Sequence, residues 1–387
     1  MIETNFRHTD IGPIPHDWEV KRTVDLFDIN AAGDLMRDNY SEVKTSCHIY
    51  PIYSNSNIDK GLYGYTSSPR YRKNSFTITG RGNLGIAEYR NTDFDAIIRL
   101  LVLSPKKGAS SLFYSYYTNF AHPYEGSATS IPQLPIPNVA KGLIPVPPVG
   151  EQEAIGKALS DIDGLIDVLR KLIEKKRNIK QGAMSRLLSG SLRLPGFNKP
   201  WKTNLLSDVA SYGNVPLPSD MFDAKNYVCT ENMISNRGGI IPYDDYVCSY
   251  MVKSYVPYDI LISNIRPYLK KIWFADCSGG VSADVLVVRS NYDIINAKFL
   301  YTILSHDKFF SYNMEGIAGT KMPRGNKRHI MNYEFIMPTD LAEQEAIAKV
   351  LTDMDSEIEN LEKKLAKYEQ VKQGMMKQLL TGKIRLI

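Results

Sequence analysis

Cysteine is scarce in this chain: Cys47, Cys229, Cys248 and Cys277 are the four among 387 residues, and no two form a C-x-x-C pair. Scattered singly, they read as reduced, mostly buried small hydrophobes and leave neither a disulfide frame nor a zinc site. Long apolar runs are missing too. None approaches the roughly 20 residues that cross a bilayer, and the first 23 residues hold no apolar targeting core, so a cytoplasmic location is expected. Charge of one sign is barely in excess, at +5, which a protein of this size carries without any polyanionic partner. The chain lacks G-x-x-x-x-G-K-[ST], H-E-x-x-H and G-x-S-x-G, as well as the Asn-Pro-Pro-aromatic and Asp-Pro-Pro-Tyr runs of amino-methyltransferases. Its six histidines stand without spaced carboxylate or cysteine partners. Gly80 to Gly85 fits G-x-G-x-x-G, but IAEYRNTDF follows where a dinucleotide fold needs a helix. A loop that lets backbone and Arg81 approach a ligand is the favoured reading, with a cofactor loop as the alternative. Neither an active site nor a metal is expected.

What the chain does have, it has twice. Glu151 to Leu194 and Glu343 to Leu386 align without a gap, with 22 of 44 positions identical. Each copy follows a globular segment of similar length, which implies internal twofold organisation. The globular segments repeat more faintly. Trp18 precedes Asp25-Leu26 as Trp201 precedes Asp208-Val209, Leu112-Phe113-Tyr114 answers Phe299-Leu300-Tyr301, and Thr129 to Pro132 answers Thr320 to Pro323. The offset drifts from 183 at the tryptophans to 192 at the helices, so small insertions separate two versions of one domain. A kept scaffold with rewritten interiors suits helices that do one job twice and domains that recognise different things.

Within the repeated element, Ile155, Leu159, Ile162, Ile166, Leu169 and Ile173 fall at alternating four- and three-residue steps, and Ile347, Leu351, Met354, Ile358, Leu361 and Leu365 do the same. That is a coiled-coil seam. Lys176 and Tyr368 then interrupt it, and a second apolar face appears at Ile179, Ala183 and Leu187, matched by Val371, Met375 and Leu379, which predicts a further partner. As one helix, residues 151 to 189 span roughly 58 Å at 1.5 Å per residue, weakened near the end by Gly182 and Gly374. Pairing within the chain, through a whole intervening domain, favours an antiparallel arrangement; dimerisation through the helices is the alternative.

The globular segments carry balanced charge, 15 basic and 14 acidic residues over 1–145 and 15 and 13 over 195–338, but their cations cluster. Arg70, Arg72, Lys73, Arg81 and Arg90 crowd one stretch, and Arg266, Lys270 and Lys271, then Lys321, Arg324, Lys327 and Arg328, crowd two others, interleaved with Tyr and Asn. Such side chains can neutralise phosphates and take base edges; solvated loops with ordinary surface charge are the competing reading. Ser75 to Thr79, Asp95 to Leu103, Ile260 to Ser263, Ile272 to Ala275 and Asp284 to Val288 are predicted strands, and Ala109 to Asn119 and Asn296 to Tyr312 predicted helices. Proline-rich apolar stretches, Leu143 to Pro148 and Phe335 to Pro338, close each domain.

Two variable domains, each entered through Trp-x6-Asp-apolar and left through such a stretch into Glu-Gln-Glu-Ala-Ile and a helix ending Leu-Leu-x-Gly, resemble the specificity (S) subunit of a type I restriction-modification system. The resemblance covers the whole chain and is carried by Pro145 to Pro148 with Gly150-Glu151-Gln152, by Pro338 with Ala342-Glu343-Gln344, and by Ile262 to Leu269; Thr339-Asp340 departs from a second Pro-Pro. It implies an α+β fold. Two target recognition domains, 1–147 and 193–338, would be separated by helical spacers, 148–192 and 339–387, that form an intramolecular antiparallel coiled coil with pseudo-twofold symmetry. Each domain would read half of an asymmetric bipartite DNA target. The helices would set the spacer and dock two modification (methyltransferase) subunits through the second apolar face. Restriction subunits would complete the assembly, with S-adenosylmethionine, ATP and Mg2+ used by these partners and none by this non-catalytic chain. The expected DNA contacts are Arg81, Asn83, Tyr89, Arg90, Thr129, Ser130 and Gln133 in the first domain and Arg266, Tyr268, Lys270, Lys321, Arg324, Lys327 and Arg328 in the second. The rival readings are a scaffold with twin protein- or glycan-binding domains and an enzyme holding a nucleotide on the glycine-rich loop.

Overall fold

The computed structural model describes residues 5–127, 132–245, 247, 249–317 and 323–386. Cys248 and the candidate contacts Thr129, Ser130 and Lys321 lie outside the described residues. The chain is α+β, with two β-rich domains and two long helices, Val149–Leu188 and Leu341–Leu379. No helix among the described residues is long and apolar enough to cross a membrane. Of the cysteines expected to be mostly buried, Cys229 is buried, Cys277 half-buried and Cys47 exposed.

Contacts divide the chain into two compact units, residues 1–171 with 363–387 and residues 172–362, so each holds one globular domain and a part of both long helices. In the first unit an antiparallel sheet runs in the order Phe27–Ala31, Leu101–Pro105, Ser75–Ile78, Ala87–Arg90. Its apolar face packs Phe27 edge-on against Phe76 and Tyr114, with ring centroids 5.1 and 5.3 Å apart. Ile155 and Leu159 of one long helix, with Leu379 at the end of the other and Leu380 just past it, complete this core. The second unit repeats the sheet as Ala210–Tyr212, Val285–Ser290, Ile260–Ser263, Ile272–Phe274. There Ile347 and Leu351 take the places of Ile155 and Leu159.

Each domain has a further four-stranded sheet, and here the copies differ. The first domain orders it Asp95–Ala96, Tyr50–Tyr53, Leu62–Thr66, Tyr40–Ser41; the second orders it Tyr227–Val228, Gly279–Val281, Met251–Tyr255, Pro216–Pro218. In both, the first pair is parallel, but the edge strand comes late in the chain in one domain and early in the other. The sheet under the helices was kept and the outer sheet was rewired.

Two predicted elements are broken in the structure. The stretch from Asp95 to Leu103 is two strands in different sheets, joined by a corner at Ile98 and Arg99, both at φ +56°. That left-handed backbone is held by amide bonds from Ile98 to the Gly33 carbonyl, 3.0 Å, and from Arg99 to the Ala32 carbonyl, 3.1 Å. Residues 296–312 form two helices, Ala297–Leu304 and Asp307–Glu315, because His306 caps the second one, its Nδ1 accepting from the Lys308 amide at 3.1 Å.

The long helices pair within each unit, and the pairing is antiparallel. Lys372 meets Asp163 and Arg170 meets Glu369 in the first unit; Arg177 meets Glu362 and Lys180 meets Asp355 in the second. Ile155, Leu159, Ile162, Ile166, Leu169, Ile173, Ile347, Leu351 and Ile358 are buried, and Met354, Leu361 and Leu365 are half-buried.

The second apolar face is a correction. Leu187 and Leu379 are buried, and Ala183 and Met375 pack against the same cores, so four of the six residues assigned to partner docking are covered by their own domains. Only Ile179 and Val371 remain exposed. Each helix then stops at a glycine with φ +68°, Gly190 or Gly382. A Cβ on Gly190 would stand 3.3 Å from the Trp201 ring, and one on Gly382 3.1 Å from the Trp18 ring.

Candidate nucleic-acid interface

Directly after the faint repeat of Thr129 to Pro132 and Thr320 to Pro323, Gln133 and Arg324 each enter a backbone bridge. In the first domain the hairpin Ser75–Ile78, Ala87–Arg90 turns through the glycine-rich loop. Thr79 closes that loop, its amide donating to the Ile86 carbonyl at 2.9 Å and its hydroxyl accepting from the Ile86 amide at 3.0 Å. Gly82 and Gly85 take φ +73° and +81°, so the turn needs residues without Cβ there. Arg81 then pairs with Gln133 as an antiparallel bridge, and the Leu134 amide donates to the Gly80 carbonyl at 3.0 Å. Asn55 supports the base of the loop by accepting from the Gly80 amide at 2.7 Å.

The second domain builds the same contact from other residues. Its hairpin Ile260–Ser263, Ile272–Phe274 carries the loop 264–271. Ile265 bridges Arg324, and the Gly325 amide donates to the Asn264 carbonyl at 2.9 Å. Position for position, Arg81 and Gln133 in one domain are answered by Ile265 and Arg324 in the other. The arginine has changed sides of the bridge.

The environments of the candidate cations separate them. Arg324 is exposed and paired with Asp284 at 3.0 Å. Arg266 and Tyr268 are exposed, and so are Lys327 and Arg328 in the first turn of Lys327–Met331, where Asn326 accepts from the Arg328 amide at 3.0 Å. Lys253, which sequence reasoning missed, stands beside Lys327; burial first and the neighbouring ammonium second push it below the usual lysine range. Two ammonium groups held together suit an anionic ligand. Lys270 is engaged: it donates to Asp307 at 2.7 Å, and Arg237 meets the same carboxylate. The Asn236 and Arg237 amides also donate to the Leu269 and Lys270 carbonyls at 2.8 and 2.9 Å. Arg237 and Asp307 therefore position the loop, and nothing in their local sequence marks them.

In the first domain Arg81 is half-buried and Asn83 exposed. Tyr89 donates to Asn74 at 2.7 Å. Arg90 is a correction to the contact set. It is 4% exposed, lies 3.5 Å over the Tyr53 ring, and donates to the Thr77 hydroxyl and the Lys60 carbonyl. A desolvated guanidinium with these partners is a structural cation of the core. Among the described residues no group of His, Cys, Asp or Glu is placed to hold a metal ion.

The carboxylate of Asp307 gives a pH test. Hydrogen bonding from Lys270 first, and from Arg237 next, lowers its pKa to about 2. A carboxyl depressed on folding contributes stability above its unfolded pKa near 4 and loses that contribution as pH falls through the folded value. The melting-temperature gap between wild type and Asp307→Asn is therefore full at pH 6 and shrinks below pH 4. A gap independent of pH would remove this pair from the loop's support.

Comparison with known proteins bears on the whole chain. The family model for the type I restriction modification DNA specificity domain matches residues 15–176 and again 198–370. The chain is 26% identical to the proposed MjaX type I restriction enzyme specificity subunit of Methanocaldococcus jannaschii, covering 99% of this chain and 97% of that protein. It is 21% identical to the EcoDI specificity subunit of Escherichia coli, covering 96% and 90%. The crystal structure of a type I restriction-modification S subunit from M. genitalium superposes with a TM-score of 0.66 at 16% identity, covering 94% and 96%.

Proposed function

We propose, from the premise that this chain belongs to the type I restriction-modification specificity family, that its two domains, 1–147 and 193–338, each read one half of a split, asymmetric DNA target. As a member it is the non-catalytic subunit that supplies DNA target specificity. In the finer reading the helical spacers 148–192 and 339–387 set the distance between half-sites and seat two modification subunits. Those subunits bring S-adenosylmethionine for methylation, and restriction subunits bring ATP- and Mg2+-dependent work. The observation that supports this most is the duplicated bridge: one backbone arrangement presents Arg81 and Gln133 in one domain and Ile265 and Arg324 in the other. Different side chains at equivalent positions read different bases, which makes the target asymmetric. Arg81, Asn83, Gln133, Arg266, Tyr268, Arg324, Lys327 and Arg328 are the proposed contacts, Thr129, Ser130 and Lys321 flank them in sequence, and Lys253 joins them beside Lys327.

Co-expression with the modification subunit, followed by methylation mapping of DNA at single-base resolution, tests this. A split motif that vanishes without the specificity chain is the expected result, and a palindromic or unsplit motif would overturn it. Arg324→Ala refines the reading: it should cost about 1–3 kcal/mol on cognate DNA and relax one position in the second half-site. Equal loss on cognate and scrambled DNA would reassign Arg324 to phosphate.

A further inference from the structure

Five Asp, Glu, Lys or Arg side chains are buried among the described residues, and four of them have a counter-charge. The carboxylates of Asp95, Glu151, Asp259 and Glu343 meet Arg70, Arg385, Arg289 and Arg193, each at 2.6 Å. Arg90 is the fifth, and among the described residues it pairs with no carboxylate. Its donors go to neutral oxygens, the Thr77 hydroxyl at 2.8 and 3.0 Å and the Lys60 carbonyl at 3.0 Å, and its face lies on the Tyr53 ring. A charge taken out of water without an opposite charge is costly, and neutral partners offset only part of that cost.

Arg90 also borders a cavity of about 120 Å³ in the first domain, between the hairpin of the glycine-rich loop and residues 54–60. Ser54 and Thr77 share its buried floor, and Ser56, Asn57 and Lys60 its exposed mouth. Ser56 Oγ accepts from the Ile58 amide at 3.1 Å, which leaves its proton to give, and Lys60 is in no ion pair among the described residues. The mouth is built on a strained turn: Asp59, Lys60 and Gly61 follow one another at φ +47°, +52° and +84°. Arg90 holds it through the Lys60 carbonyl, and the Ser54 amide through the Gly61 carbonyl at 2.8 Å. Left-handed non-glycine backbone of this kind collects at ligand clamps.

One wall decides which anion fits. Glu88 lines the cavity, half-buried, so an oxyanion that satisfies Arg90 must also bring a proton for a carboxylate to accept. Hydrogen phosphate keeps a P–OH at neutral pH; sulfate has none. We propose that this cavity binds a free hydrogen-phosphate ion, with Arg90 as its counter-charge, Ser56, Asn57 and Lys60 as donors at the mouth, and Glu88 as the acceptor of the ion's own proton. Thr79, which closes the glycine-rich loop, lines the same cavity, so the bound ion steadies the base of that loop.

Calorimetric titration of the full chain with inorganic phosphate and with sulfate, at matched ionic strength, tests this. The wild-type chain is expected to take up one phosphate and to bind sulfate about tenfold more weakly, because sulfate leaves Glu88 without a donor. Glu88→Gln, whose amide can donate, is expected to bring the two affinities within about threefold of each other. Ser56→Ala is expected to weaken both anions. Phosphate is also expected to raise the wild-type melting temperature in step with its affinity. Arg90→Met disturbs the core as well as the site, so the anion preference of Glu88→Gln carries the decision. Absence of saturable phosphate heat in the wild-type chain would overturn the proposal and leave the cavity to water. So would a preference for phosphate that Glu88→Gln leaves unchanged. Displacement of bound phosphate by duplex DNA of unrelated sequence would assign the cavity to the DNA backbone and overturn the free-ion reading, with the split-target reading left intact.

Discussion

Arg385→Ala lowers the stability of the first unit by about 3–5 kcal/mol, the range for removing one partner of a buried ion pair. The carboxylate of Glu151 is wholly buried at the start of the first long helix. It receives Arg385 through two bonds, Nε to Oε1 at 2.6 Å and Nη2 to Oε2 at 2.8 Å, and the Trp18 indole at 3.0 Å. Arg385 also holds Asp17 at 2.6 and 2.8 Å, and the Glu151 and Asp17 bonds together push its pKa further up. Alanine leaves Glu151 buried with only the indole. Lysine should not rescue, because one ammonium cannot make the fork of bonds to both carboxylates. The second unit repeats the clamp with Arg193, Glu343 and Trp201, but Arg193 is more exposed and the indole bond is longer, 3.3 Å. Arg193→Ala therefore costs less than Arg385→Ala. Urea unfolding followed by tryptophan fluorescence measures both. A loss under 1 kcal/mol for Arg385→Ala would mean that the buried carboxylate finds water or a proton without penalty. Adding Glu151→Gln to Arg385→Ala should recover most of the loss, since the amide oxygen still accepts from Trp18 and no charge stays buried.

The clamp shows where sequence reasoning stops. Trp18 and Trp201, Glu151 and Glu343, and Arg193 and Arg385 are each visible as repeats, because identity at fixed spacing needs no third dimension. Their convergence is not visible, since a residue that follows one long helix meets a carboxylate that opens the other. The seam was legible for the same local reason: its period alone places Ile155 to Ile173 on one side of a helix. The strand Ile260–Ser263 was legible as a bounded β-branched run. The corner at Ile98 and Arg99 was not, because only bonds to residues 32 and 33 make left-handed isoleucine tolerable. Arg90 sits in a basic, tyrosine-rich stretch that suits a ligand-facing loop, and Tyr53 and Thr77 close around it only once the sheets are in place. The second apolar face was real as a pattern, but Leu187 and Leu379 spend it on their own domains. Periodicity reports that a face is covered, not what covers it.

Gly325→Ala should cost about 1–3 kcal/mol, the range for overpacking a filled site, and should disable the second half-site while sparing the first. A Cβ on Gly325 would stand 2.7 Å from Asn313 Oδ1, 2.9 Å from Asn264 Oδ1 and 3.2 Å from the Ile330 side chain. Asn313 is fully buried, and neither atom of its carboxamide has a hydrogen-bond partner among the described residues, so packing alone holds it and a new Cβ must displace it against its neighbours. Gly325 joins Arg324 to the helix that carries Lys327 and Arg328, and its own amide anchors the bridge to Asn264. Displacing it moves three proposed contacts together. With half-sites known from methylation mapping, binding to DNA substituted in either half reads the result. Penalties for wrong bases in the first half-site should persist, and those in the second should collapse. Asn313→Ala in the Gly325→Ala background removes the 2.7 Å encounter and should restore part of the second-half discrimination, a coupling that a double-mutant cycle isolates. Uniform loss of discrimination in both halves would instead show that Gly325 supports the chain as a whole, and the second domain's bridge would then lose its place as the reader of its half-site.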